Sequence, residues 1–260
     1  MSLTVRPASS SHGDTIFTPH AFHWNNTHSS FAKGRQGHLH GSVLTSWTVR
    51  LNPWELQEPT IRMPGYLKDH PEATLEQYKT AFEAERFGRP CPTFWQACEL
   101  LSPPCPFADA PTLGFHKYVI PAEEDAVVKV AAEWIQRGLV GERLASAREC
   151  LAGYERGAAM LEALAGSVQA GGDLIEAWDW GARNLVNRAR AAVVILASAE
   201  ALVEGRPVDE SARDAARALM VELVHLREET HARYGGFYQP TRCDHVVGWM
   251  YDSEIGRAHV

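Results

Sequence analysis

From Pro121 onward the apolar residues recur three and four positions apart, the spacing that holds side chains on one face of an α-helix. Between 142 and 169 they are Leu144, Ala147, Leu151, Tyr154, Ala158, Leu161, Ala165 and Val168. This predicts a helix with one continuous apolar face. A second helix is predicted over 173–204, with Leu174, Trp178, Leu185, Ala189, Ala192, Leu196 and Val203 inward. Its residues 191–197 are apolar all round, which suits a central helix. A third covers 209–233, with Ala212, Ala216, Leu219, Leu223 and Leu226 inward, and Gly235-Gly236 stops it. A shorter helix over 122–137 precedes these. Long helices joined by short loops pack antiparallel, so 119–240 reads as a helical bundle.

The first half has a different texture. Residues 1–21 carry no periodicity and read as an irregular N-terminal segment. Asn25-Asn26-Thr27 offers a helix cap, for a short helix ending near Gly34. After the break at Gly37–Gly41, residues 42–49 are rich in β-branched and aromatic side chains and predict a strand. Its nearly unbroken apolar character suits burial on both faces, as in a parallel sheet. Residues 50–71 read as a long loop, because Pro53, Pro59 and Pro64-Gly65 each interrupt regular structure. Pro71 suits the first turn of a helix over 71–87. A shorter helix is expected over 93–101, and the proline-rich stretch 102–111 cannot be helical throughout.

Composition narrows the function classes. Apolar residues make up 45% and charged residues 22% of the chain, an ordinary globular balance. The net charge is −7 and the basic residues are scattered. A nucleic-acid groove needs a basic footprint, so none is expected. The run 191–197 is too short to span a bilayer, so no membrane partner is expected. No apolar signal-peptide core follows Met1, and the protein reads as soluble. The five cysteines, Cys91, Cys98, Cys105, Cys150 and Cys243, form no C-x-x-C, which points to free thiols rather than a zinc knuckle or disulfide framework. His20, His23, His38 and His40 have spacings seen in metal sites but no H-E-x-x-H and no acidic partner close by. No metal or cofactor is assigned, and a His-based metal enzyme stands as a lesser alternative.

The segment with most chemical character is Gly41–Trp47, followed by Arg50, Asn52, Trp54 and Glu55. A buried strand ending in Thr-x-Trp, then a loop with a second tryptophan, suits a late strand of a (β/α)8 barrel, whose active sites lie at the C-terminal strand ends. Indole faces stack on the C–H face of a pyranose while nearby polar groups hold its hydroxyls. Gly41, Thr45, Ser46 and Trp47 match the pattern G-x-x-x-T-[GS]-W, and here the chain resembles family 20 glycoside hydrolases, the β-N-acetylhexosaminidases, and related barrel enzymes. The resemblance covers this stretch directly and the rest only by general layout. It implies a carbohydrate substrate, with Trp47 lining the sugar pocket and Trp54, Glu55, Asn52 and Arg50 beside it. Members often continue with Arg-Tyr-Asp-like residues, where this chain has Thr48-Val49-Arg50. The family's catalytic Asp-Glu pair lies on an earlier strand, whereas Asp14 is the sole carboxylate of residues 1–48. Glu123-Glu124-Asp125 suits a helix start rather than acid–base work.

The resulting expectation is a mainly α chain. Residues 22–118 would be the C-terminal part of a (β/α)8 barrel, 119–240 the bundle, and 241–260 a tail. The last seven residues, EIGRAHV, match the translation of a common sequencing adapter. The chain therefore reads as a fragment of a hydrolase whose catalytic carboxylates lie elsewhere, inactive by itself. The rival reading is a non-enzymatic helical interaction module. Trp178-Asp179-Trp180 with Arg183, Asn184 and Asn187 is unusual within a helix: Trp178 fits the core stripe, and Trp180 and Arg183 would lie on other faces, where they could meet the barrel.

Overall fold

The computed structural model describes residues 4–5, 8–10, 20–38, 41–42, 44–46, 54–106 and 126–235. The chain is mainly helical. Near its start two short strands, β1 (Thr4–Val5) and β2 (Ala8–Ser10), precede helix α1 (His20–Gln36). Then come β3 (Gly41–Ser42) and β4 (Thr45–Ser46). β1 pairs parallel with β3 and β2 parallel with β4, in register Thr4 to Gly41 and Ala8 to Thr45. Parallel neighbours need a crossover, and α1 supplies it. The segment read as irregular thus contributes two strand pieces. Of the strand expected over 42–49, Ser42, Thr45 and Ser46 are strand; Trp47–Val49 lie outside the described residues.

The loop expected over 50–71 is instead helix α2 (Trp54–Asp69), with Pro59 and Pro64 inside it. Leu56, Thr60, Met63 and Leu67 are buried along one stripe at four- and three-residue steps, and their burial outweighs the prolines' cost. α3 (Leu75–Phe87) starts later than Pro71, because Thr74 caps it. Thr74 Oγ1 accepts from Gln77 N–H at 3.2 Å while Gln77 Oε1 accepts from Thr74 N–H at 2.8 Å, a reciprocal capping box. Gly88, at φ 67°, ends it in the left-handed region. α4 (Pro92–Leu100) follows, then α5 (Ala126–Gln136), α6 (Val140–Ala165), α7 (Gly172–Val203) and α8 (Glu210–Tyr234). These last four sit within a few residues of the helices read from periodicity.

Two compact units divide the chain: Met1–Pro103 with Tyr154–Ala182, and Pro104–Gly153 with Arg183–Val260. The first has an aromatic interior. Trp24 meets Trp95 edge-on at 4.8 Å, Phe82 meets Trp95 at 5.4 Å, and Phe94 meets Trp178 at 5.4 Å. Edge-to-face packing of this kind adds to the burial gain. Gly157 on α6 allows close approach: a Cβ there would sit 3.0 Å from Leu101 Cγ and 3.1 Å from the Ala97 carbonyl.

The second unit buries Leu144, Ala147, Leu185, Ala189, Ala192, Leu196, Leu223 and Leu226. α7 and α8 are joined by polar contacts as well. Arg183 makes a two-pronged pair with Glu229 at 2.7 and 2.6 Å, and Asn187 Nδ2 donates to the Leu219 carbonyl at 3.1 Å and to Glu222 at 2.9 Å. Val203, expected inward, is 57% exposed because α7 ends there, and Ala165 and Ala216 are exposed too. Among the described residues no helix is long and apolar enough to cross a membrane.

Candidate functional site

The residues with most chemical promise meet the structure at the start of α2. β4 ends at Ser46 and α2 begins at Trp54, so Trp47, Arg50 and Asn52 fall between them, outside the described residues. Trp54 and Glu55 are described, on the first turn of a helix rather than on a loop. A carboxylate in that turn complements the helix dipole. The Trp54 side chain is 58% exposed. The other described tryptophans, Trp24, Trp95, Trp134, Trp178 and Trp180, are all buried. An exposed indole is thus specific to this position among the described residues.

Behind that turn the structure supplies a brace that the sequence did not announce. Proline lacks an N–H, so Pro59 gives no intrahelical donor to the carbonyl four residues earlier, which is that of Glu55. Trp178 Nε1–H donates to it at 3.3 Å. Tyr78, on α3, donates its hydroxyl to the Pro59 carbonyl, and burial pushes its phenol well above the usual range.

Glu58 lies one residue before the proline and is buried, with its side chain 4% exposed. Its carboxylate sits 2.6 Å from Arg62 Nε and 3.1 Å from Arg86 Nε. The Arg86 contact has an angle too poor for a hydrogen bond, so it is a charge contact. Arg62 also pairs with Glu85, and Arg86 with Asp173 at 2.8 Å. Arg86 holds the Asp173 carboxyl below its ordinary value although burial pulls the other way. The chain of charges Glu85–Arg62–Glu58–Arg86–Asp173 ties α2, α3 and the start of α7 together. Both guanidinium groups already engage Glu58, so it is a structural charge.

Other residues singled out by sequence find structural work. Trp178 and Trp180 are buried, and Asn184 and Asn187 are buried with them. Arg183 is spent on Glu229. His28 Nε2 lies 2.8 Å from the Ala73 carbonyl, and His23 is buried. Among the described residues no group of three His, Cys, Asp or Glu side chains is placed to hold a metal ion. Cys91, Cys98, Cys105 and Cys150 form no disulfide, while Cys243 lies outside the described residues. Glu123, Glu124 and Asp125 also lie outside them, immediately before α5.

An exposed indole on a helix start held from behind by a buried tryptophan can stack on a sugar ring, and a carboxylate in the same turn can accept a hydroxyl hydrogen bond. It cannot by itself supply the two acid–base groups of glycoside hydrolysis. The chain matches no protein-family model, no curated protein and no solved structure.

Proposed function

We propose that this chain is part of a carbohydrate-active glycoside hydrolase that removes terminal N-acetylhexosamine residues. It contributes the end of a (β/α)8 barrel and an antiparallel helical bundle, and the catalytic carboxylates belong elsewhere in the protein. Trp47 and Trp54 form the indole platform of the sugar site, with Glu55, Asn52 and Arg50 as hydrogen-bonding partners. The observation that carries the reading is the exposure of Trp54 at the start of α2, whereas every other described tryptophan is buried. The parallel pairing of β1 with β3 and β2 with β4 across α1 supports it, since strand–helix–strand is the repeating unit of such a barrel.

The test is titration of the chain with N,N′-diacetylchitobiose, read by tryptophan fluorescence and calorimetry, with cellobiose as the control lacking acetamido groups. Saturable binding that prefers chitobiose and is lost in Trp54→Ala is expected. Absence of binding, or equal binding by Trp54→Ala, rejects the sugar platform. The non-enzymatic module gains from one observation, that Trp24 packs against both Trp95 and Trp178 in an aromatic interior with no need of a ligand.

A further inference from the structure

We propose that Cys105 and Cys150 form a redox-sensitive clasp that closes to a disulfide in the presence of a disulfide oxidant of the glutathione type. Both belong to the same compact unit. Cys150 stands on α6, and its Sγ lies 3.2 Å from the carbonyl oxygen of Pro104, the residue bonded to Cys105. Standard backbone dimensions then hold that sulfur within about 6 Å of the Cys105 Cα. The two Cα atoms are therefore at most about 9 Å apart, and a disulfide requires about 4.4–6.8 Å, so closure takes a backbone shift of the 104–106 segment toward α6 together with rotation of the Cys150 side chain. Pro104 and Pro106 flank Cys105 and restrict φ on either side of it, which limits the conformations the segment can take.

The two sulfurs differ in access in the way a two-step exchange needs. Cys150 is half-buried and Cys105 is 1% exposed. Cys150, as thiolate, attacks glutathione disulfide, forming a mixed disulfide and releasing one glutathione thiolate. Cys105 then attacks the Cys150 sulfur, forming the internal S–S bond and expelling the second glutathione. Two thiols are oxidised to one disulfide, the oxidant is reduced to two thiols, and the two cysteine protons end on them. Cys91 and Cys98 belong to the other unit, and burial pushes both thiols up, most strongly that of Cys98, which keeps them protonated and unreactive. Closure would pin Pro104–Pro106 to α6 and constrain the unfolded chain between 105 and 150, which stabilises the fold.

The experiment incubates the folded chain with reduced or oxidised glutathione, quenches in acid, denatures, alkylates the free thiols and maps peptides by mass spectrometry. The expected result is a Cys105–Cys150 peptide at oxidising ratios only, with Cys91 and Cys98 alkylated. The melting temperature should rise by several degrees, and Cys150→Ser should abolish both effects. Cys105→Ala, with a second readout of secondary structure, guards against a variant that fails to fold. A bridge to any other cysteine, a Cys150–glutathione adduct that never resolves, or full alkylation of Cys105 overturns the proposal.

Discussion

Trp178 Nε1 donates to the main-chain oxygen of Glu55 at 3.3 Å, across 123 positions of sequence. That oxygen is the one Pro59 deprives of its helical partner. The indole is fully buried, so the bond is made where water cannot replace it. A donor from α7 thus repairs a defect in α2, at the residue next to its exposed tryptophan.

The relationship predicts a coupling. Trp178→Phe keeps most of the ring and removes the donor, leaving the Glu55 carbonyl unpaired at a cost of about 1–3 kcal/mol. Pro59→Ala restores an N–H at the position that can serve the same carbonyl. In the Pro59→Ala background the Trp178→Phe penalty should shrink by about 1 kcal/mol, while the packing loss, common to both backgrounds, cancels in the cycle. Urea denaturation of the four proteins measures this. Strict additivity would mean that the indole bond does not compensate for the proline.

A second prediction concerns Glu58, whose carboxylate is 4% exposed between Arg62 and Arg86. Glu58→Gln keeps the shape but leaves two cations facing a neutral amide. Breaking one member of a fully buried pair costs about 3–5 kcal/mol. The arginine side chains are 38% and 20% exposed and keep other partners, Glu85 and Asp173, so solvent screening reduces the expected loss to about 1–3 kcal/mol. Thermal and urea unfolding of the variant checks it, and a loss under about 0.5 kcal/mol, the range of an unremarkable surface change, would show the network to be ornamental.

How much of this was legible beforehand depends on where each element gets its support. α6, α7 and α8 take theirs from their own three-and-four spacing, and that pattern located them within a few residues. α2 takes part of its support from elsewhere: Trp178 and Tyr78 serve the backbone on either side of Pro59, and neither pairing leaves a mark near the prolines in sequence. The prolines alone argued for a loop, and tertiary partners overrode them. The start of α3 was legible and missed, since Thr74 with Gln77 three residues on is the capping-box pattern. Trp54 and Glu55 were readable as a chemical type, an indole beside a carboxylate. Their place on a helix start was not, because it depends on α2 forming at all.

The pair between Arg183 and Glu229 gives stability a pH dependence. Hydrogen bonding to Arg183 holds the Glu229 carboxyl below its ordinary value, against the opposing effect of burial, and the charges of Arg183 and Arg233 add to it. A carboxylate depressed in the folded state contributes stability that is fully present above its unfolded value, near pH 4.3. That contribution fades as pH falls through the lower folded value. With side chains 40% and 33% exposed, the effect should be no more than about 1 kcal/mol. Glu229→Gln should therefore be less stable than the parent at pH 7, and the gap should narrow as pH drops toward 3. Urea midpoints at several pH values read it out, and a gap independent of pH would assign the stability to packing.

Two glycines with left-handed backbones separate conformational strain from steric exclusion. Gly88, at φ 67°, ends α3 with nothing within 4 Å of where a Cβ would stand. Gly88→Ala should lose only the cost of holding an L-residue in that region, about 1–2 kcal/mol. Gly171, at φ 75°, precedes α7, and a Cβ there would lie 2.8 Å from both the Arg86 carbonyl and Phe87 Cδ1. One neighbour is backbone and the other a buried ring, so neither can move aside cheaply. Gly171→Ala should lose the same strain and a further 1–3 kcal/mol or so for the overlap. Thermal unfolding of both variants reads the difference directly. Equal losses would mean that the junction between Phe87 and the start of α7 relaxes, and that the close approach at Gly171 does not hold α7 in place.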